Sequence, residues 1–361
     1  MAKYLYMEIK DYLLKLIKEN KDVPHYQLPS ENQLALRFST TRITAKRAIT
    51  ELQEAGYIYR VHGKGSFITP TASSDSSLQS GNFIVMFVPN LDSQFITKMV
   101  DGVRNELLTH NFHLLILNGK DAGQQDGHFI SQLVDLGVKG MIVFPNNRAR
   151  YSKDLLLLAF NKFPVVFVDR TLRDFDVSSV TSDHIDMARR AVQLLFDRGC
   201  QNVGFITRPA EYSTSISRRI TGYEKAHIDN GRTILASRLL HLEKTDPVQV
   251  ETTSRFLEAN PDMDGLLTYG GAIGQNVYRA ILRTGIRVPE RMQVIFLDDE
   301  YVDFSDLLPF SPTCVCQRSE EIGRKSAQLV LKYIESRNVT IDKIIVDCDI
   351  IERGSTRSGA E

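Results

Sequence analysis

The chain has 361 residues, 42% hydrophobic and 24% charged; at about 100 to 200 residues per domain it is too long for one small module and implies two or three. No apolar stretch approaches the roughly 18 to 20 residues of a membrane span, and the opening MAKYLYMEIKDYLLKLIKEN lacks the apolar core and cleavage site of a secretory signal, so a soluble cytoplasmic protein is expected. The balance of 44 Lys plus Arg against 44 Asp plus Glu conceals an asymmetry: residues 1–70 hold 11 basic and 7 acidic residues, net +4, leaving 33 against 37, net −4, for the rest.

In chain order, Tyr4 to Asn20 places Leu5, Ile9, Leu13, Leu16 and Ile17 at helical spacing. LPSENQLALRF opens a second helix, with Ser30 and Gln33 in capping-box relation and Leu34 and Phe38 on one face. After Ser39 and Thr40 a third helix is predicted over about Thr41 to Ala55, with Ala48, Ile49 and Leu52 on its apolar side and Gly56 as its stop. YIYRV, HGKG and SFIT read as strand, glycine turn and strand. Three helices and a hairpin make a winged helix-turn-helix over residues 1–70. The following TASSDSSLQSG, residues 71–81, has five Ser in eleven residues and the composition of a linker.

From residue 82 to 361 apolar strands alternate with amphipathic helices. The predicted strands are Phe83 to Val88, His113 to Leu117, Met141 to Phe144, Val165 to Val168, Val203 to Thr207, Leu266 to Thr268 and Val294 to Leu297. Continuous β-branched and aromatic runs between helices of ten or more residues indicate parallel sheets covered on both faces. The fold class is α/β: two doubly wound lobes, with the gap from Arg170 to Ser179 read as the crossover between them. Cys200, Cys314, Cys316 and Cys348 are too scattered for a disulfide framework. Cys314 and Cys316 share one face of a strand without the nearby His or Cys that a zinc site needs, which leaves them as packing residues.

LPSENQLALRF, STTRITAKRAITELQEAGYI and HGKGSFI together resemble the GntR-type winged-helix module, over residues 4–69. The start of the third helix carries Thr41, Arg42, Thr44, Lys46 and Arg47, hydroxyls and cations where a recognition helix meets the major groove. The resemblance implies DNA contacts at Thr41 and Arg42. Lys46 stands where the family usually has Arg, and the loss of the planar fork makes it a residue that positions more than it specifies. His62, Gly63 and Lys64 match the wing that reaches the minor groove, while Asn32 replaces an Arg that contacts DNA in some relatives. The alternative is a solvated helix face on a protein-binding winged helix.

VVFVDR, VTSDHIDMARRAVQLLFDRGCQNVGFIT, RITGY, VPERMQVIFLDD, TCVCQRSEEIG and ERGST resemble the LacI-type regulatory core related to periplasmic sugar-binding proteins, over about residues 82–356. A GntR-type head on a LacI-type body is similar to the arabinose repressor class. The resemblance implies an effector in the crevice at the carboxyl ends of the strands. It assigns Arg219 and Asp298 to effector hydroxyls, with Asp169 and Gln317 beside them. Arg170 and Asp183 either line the cleft or hold the hinge. Gln94 and Phe95 follow the first strand after Ser93, with Phe95 stacking on a sugar or packing the lobe; Tyr269 and, less so, Phe144 present the same choice. Where many relatives carry Asn-Asp, this chain has Tyr269, Gly270, Gly271 and Ala272, which suits a ligand with fewer hydroxyls on that side or compensation by Gln275 or Tyr269.

No phosphate loop, nucleophile elbow or zinc-binding H-E-x-x-H helix is present, and Ser182, Asp183 and His184 are sequence neighbours rather than a triad. No catalytic residue, metal or cofactor is expected. The reading is a repressor of sugar-utilisation genes that binds an inverted-repeat operator in double-stranded DNA as a homodimer and leaves it when a monosaccharide such as L-arabinose or L-fucose binds. Purines are a further ligand class. The alternatives are an activator of the same architecture and a sugar-metabolising enzyme carrying a DNA-binding head.

Overall fold

The computed structural model of the protein describes residues 2–20, 23, 26–54, 57–61, 65–68, 82–118, 128–145, 153–243, 248–298 and 310–358, and the chain divides into two compact units, Met1–Ser80 and Gly81–Glu361.

In the first unit, α1 (Ala2–Glu19), α2 (Glu31–Arg37) and α3 (Arg42–Glu54) precede a hairpin of β1 (Ile58–Val61) and β2 (Gly65–Ile68). The capping box forms: Ser30 Oγ accepts from Gln33 N at 3.3 Å and Gln33 Oε1 accepts from Ser30 N at 2.8 Å. Thr41 Oγ1 caps α3 by accepting from Thr44 N at 3.3 Å. Ile9, Leu13, Leu34, Ala48, Ile49 and Leu52 are fully buried between the three helices, and Ile58 and Ile68, paired across the hairpin, close the core. Gly56, the wing tip His62, Gly63 and Lys64, and the segment 71–81 lie outside the described residues.

The second unit contains two six-stranded sheets. The strands of the first lobe are β3 (Phe83–Val88), β4 (His113–Asn118), β5 (Gly140–Val143), β6 (Val165–Val168), β7 (Ser179–Ser182) and β13 (Lys343–Val346), in the spatial order β13-β7-β6-β5-β3-β4 and parallel throughout. The second lobe orders β14 (Cys348–Ile351), β12 (Thr313–Gln317), β11 (Gln293–Leu297), β10 (Gly265–Tyr269), β8 (Val203–Thr207) and β9 (Leu239–His241), with only the β12–β14 pair antiparallel.

The period-2 alternation of these strands feeds two faces each. Ile84, Met86 and Val88 pack under α4 (Gln94–Thr109) and α11 (Ser319–Ser336), whereas Val85 and Phe87 face α5 (His128–Asp135) and α6 (Lys153–Phe160). In the second lobe Phe205, Leu267 and Ile295 pack against α7 (His184–Asp197) and α8 (Thr214–Asp229). Leu266, Val294, Phe296 and Cys314 pack against α9 (Gln249–Ala259) and α10 (Gly271–Thr284), and Cys316 joins the same cluster. Glycine lets α4 and α11 touch backbone to backbone: a Cβ at Gly102 would stand 2.1 Å from Glu320 O, and one at Gly323 2.0 Å from Met99 O.

The crossover expected between Arg170 and Ser179 is not there. That segment returns to the same sheet as β7, beside β6, and β7 was missed because SVTS contains one large apolar residue although all four positions are buried. The chain changes lobe at three other places, each a single residue between two elements: Asp183 between β7 and α7, Arg318 between β12 and α11, and Asp347 between β13 and β14. Asp183 caps α7, accepting from Asp186 N at 2.9 Å. Arg318 makes a two-pronged pair with Asp349 at 2.8 and 2.6 Å. Ser355, in the terminal ERGST, is fully buried and ties strands together: its Oγ accepts from Thr313 N at 2.7 Å and donates to Val294 O at 2.6 Å.

Candidate functional site

A cavity of about 460 Å³ lies at the carboxyl ends of strands from both lobes, within the roughly 300 to 1,000 Å³ typical of small-molecule sites. Strand ends collect there because in parallel sheets each strand hands over to its helix at the same edge. Of the sequence-predicted ligand residues, Phe95, Asp169, Arg170, Arg219, Tyr269, Asp298 and Gln317 line it, and so does Phe144. Gln94 does not: it is the exposed first residue of α4, one helical step of about 100° away from Phe95. Asp183 and Gln275 are likewise not among the described lining residues.

Two aspartates anchor the floor. Asp169 follows β6 with φ 63° and Asp298 follows β11 with φ 79°, both left-handed, a conformation that Asp adopts more readily than most residues and that concentrates where function holds it in place. Arg219 Nη2 donates to Asp298 Oδ2 at 3.0 Å, and Gln317 Nε2 donates to Asp298 Oδ1 at 2.8 Å. Arg170 Nε donates to Asp169 Oδ2 at 3.1 Å, and its guanidinium lies 4.8 Å from the centre of the Phe144 ring, which in turn meets Phe95 edge to face.

Burial pushes the Asp169 carboxyl up, against the opposing pull of Arg170 and Arg219. Burial works against the charge on Arg219, but Asp298 first, then Tyr269 and Asp169, more than offset it, so this guanidinium holds its proton more tightly than usual. His184, fully buried, is pushed down to about 3 by burial and by Arg219; it is neutral, with Nε2–H donating to Asp169 O at 3.0 Å. Among the described residues, Arg219 Nε and Nη1 and Gln317 Oε1 are buried with no hydrogen-bond partner. Buried polar atoms are nearly always paired, so unpaired ones in a cavity wall call for a partner.

Sequence reasoning missed Arg208, Tyr212 and Ser215, which also line the cavity. Arg208 stands directly after β8, and its place at a strand's carboxyl end was the available signal. Tyr212 ends a short 3-10 turn, Ala210–Tyr212, and Ser215 lies in the first turn of α8, where no periodic pattern marks them.

In the first unit, Thr41, Arg42, Lys46 and Arg47 are exposed along α3 and Thr44 is half-buried. Thr41 and Thr44 hydroxyls bond each other at 3.0 Å. Arg42 Nε donates to Glu31 Oε2 at 2.9 Å, and Arg60 pairs with the other oxygen of the same carboxylate. The Arg42 and Arg60 guanidiniums hold the Glu31 carboxyl below the usual range, outweighing its partial desolvation. Arg47 lies over the Tyr6 ring at 5.1 Å and 3.7 Å from Glu51. Ile43, between Arg42 and Thr44, is 80% exposed, an apolar side chain that the helical pattern did not single out. Asn32 is exposed on α2.

Among the described residues, no helix is long and apolar enough to cross a membrane and no group of three His, Cys, Asp or Glu is placed to hold a metal ion.

Residues 82–353 match the family described as periplasmic binding proteins and sugar binding domain of LacI family, and residues 5–68 match bacterial regulatory proteins, gntR family. The chain is 22% identical to the arabinose metabolism transcriptional repressor of Geobacillus stearothermophilus, over 98% of this chain and 97% of that protein. It is 21% identical to the transcriptional repressor CytR of Escherichia coli, over 88% of this chain and 89% of the relative. The solved structure of the transcriptional regulator CelR in complex with cellobiose superposes with a TM-score of 0.67 at 19% identity, covering 91% of this chain and all of that one.

Proposed function

We propose that this chain, which belongs to the family of periplasmic binding proteins and LacI sugar-binding domains and carries a gntR-type head, is a cytoplasmic transcription repressor that leaves its operator when a small sugar binds in the cleft. The observation that carries the reading is the Arg219–Asp298–Gln317 chain at the cavity floor, whose buried Nε, Nη1 and Oε1 are unpaired among the described residues. A sugar presents donor and acceptor on each hydroxyl, the complement of that set. Phe95 and Tyr269, which line the same cavity, supply apolar surface for the sugar ring.

On the DNA side, Thr41, Arg42, Thr44, Lys46 and Arg47 form a cationic, hydroxyl-bearing helix start, with Ile43 offering methyl surface to thymine; His62, Gly63 and Lys64 extend the interface through the wing. Two heads in a homodimer read an inverted repeat, as symmetry requires. Ligand closure of the lobes changes operator affinity through a coupling of about 1 to 3 kcal/mol, or 5- to 150-fold. The relatives named as repressors favour that sign over activation, and relatives that are transcriptional regulators favour it over an enzyme.

The test is a thermal-shift screen of the purified chain against pentoses and hexoses, L-arabinose and L-fucose first, deoxy sugars, sugar acids, sugar phosphates and purines, followed by operator footprinting with each hit. A specific ligand at 100 times its dissociation constant adds about 2.7 kcal/mol and weakens the footprint. Turnover of the sugar would replace this reading by the enzyme reading, and a ligand that strengthens the footprint upstream of a promoter would replace it by the activator.

A further inference from the structure

The cleft holds more positive charge than a neutral sugar calls for. Its described lining includes Arg170, Arg208 and Arg219 against Asp169 and Asp298. Arg170 is paired with Asp169 and Arg219 with Asp298. Arg208 is the remaining cation: among the described residues no carboxylate lies within ion-pair distance of it, and its Nη1 is buried without a partner. Its guanidinium lies 4.7 Å from the centre of the Tyr212 ring and 5.9 Å from that of Tyr269. Arg219, 2% exposed, approaches the same Tyr269 ring at 5.1 Å and has two unpaired nitrogens. Two guanidiniums with free donors therefore approach one ring.

Tyr269 leads straight into the start of α10, and Gly270, Gly271 and Ala272 line the cavity with it. Gly270 is the N-cap and provides no side-chain cap for this fourteen-residue helix. A Cβ at Gly270 would stand 2.1 Å from Leu297 O, and Gly271 has φ 59°, so both positions favour glycine and the wall there is backbone. A helix start of this kind presents N–H groups and the positive end of the helix dipole. The first turn of α8 adds Ser215 to the same cavity.

We propose that Arg208, the free donors of Arg219 and the bare start of α10 form an anion subsite, so that the effector is an acidic sugar derivative bearing a carboxylate or a phosphate monoester. A planar guanidinium fork pairs with either group through charge-assisted hydrogen bonds that a hydroxyl cannot match, while Asp298 and Gln317 remain for the sugar hydroxyls. This rests on the reading of the cleft as the effector site and narrows it to one class of ligand.

The experiment is calorimetric titration of the full-length chain with matched sets: ribose, ribonate and ribose 5-phosphate; arabinose, arabinonate and arabinose 5-phosphate; glucose, gluconate, glucuronate and glucose 6-phosphate. In at least one set an acidic member binds ten times or more tighter than its neutral parent, and the carboxylate and phosphate arms identify which anion it is. Arg208→Gln brings that preference below threefold, and Arg208→Lys, which keeps the charge, retains most of it. A neutral parent that binds as tightly as its acids, or a preference that survives Arg208→Gln, overturns the anion subsite and leaves the cleft reading standing. A set of titrations with no binding by any member overturns both.

Discussion

Arg219 reaches Asp298 through a single nitrogen, Nη2 to Oδ2 at 3.0 Å, while the other carboxylate oxygen accepts from Gln317 at 2.8 Å. The pair spans α8 and the end of β11, and only one of the three guanidinium nitrogens is used among the described residues. Removing Arg219 leaves Asp298 with Gln317 alone in a mostly buried setting. Arg219→Ala is expected to cost about 3 kcal/mol of stability and to abolish the effect of the ligand on operator binding. Calorimetric unfolding and ligand-dependent footprinting check the two parts separately; intact effector response would remove Arg219 from the binding site.

On the DNA side, Lys46 is exposed on α3, and among the described residues it makes no ion pair. Lys46→Ala is expected to weaken binding to all sequences alike and to reduce the slope of log affinity against log salt by about one unit. A loss confined to one base position would make Lys46 a reader of sequence.

Glu31 holds Arg42 and Arg60 together. Glu31→Gln adds one net positive charge at the proposed DNA face and loosens Arg42, so nonspecific binding at low salt should rise severalfold while the ratio of specific to nonspecific affinity falls. Competition with random DNA measures that ratio.

His184 gives a pH signature. Its folded value is about 3 against an ordinary 6.5, so between those limits the unfolded chain binds a proton that the native chain refuses. Stability therefore falls as pH drops through this window, by up to about 1.4 kcal/mol per unit. Asp169, held above its ordinary value by burial, acts in the opposite sense above about pH 3.8. Comparing the wild type with His184→Gln isolates the histidine contribution: the variant's denaturant midpoint should fall less steeply between pH 6.5 and 4.

Ser355→Ala removes the acceptor of Thr313 N and the donor to Val294 O in a fully buried setting. The expected loss is about 1 to 3 kcal/mol, read as a lower unfolding temperature. Ser355→Thr would instead test space.

Much of this was legible in the residues. The helices of the head followed from 3.6 periodicity and the capping box, and the strands FIVMFV, VVFV and VGFIT from continuous apolar runs. β7 was not, because a strand between two neighbours is buried whatever its side chains, and SVTS carries no hydrophobic signature; the crossover was misplaced for the same reason. The cavity residues Arg219 and Asp298 came from resemblance; Arg208, directly after the predicted strand Val203 to Thr207, was within reach of the same strand-end argument, and only its position over Tyr212 needed the structure. Gln94 shows the limit of counting along a loop, since one residue's shift at a helix start turns a side chain away from the cavity.

The three single-residue crossings at Asp183, Arg318 and Asp347 also decide what kind of message this molecule can send. A door on one pin can swing, twist and sag, but on three pins set side by side it can only open or shut. The backbone contact at Gly102 and Gly323 ties α4 to α11, which begins at one of those pins. On the proposed reading, whatever enters the cleft is thereby reduced to one angle, and two ligands of different shape that close it equally would be, to the rest of the chain, the same signal.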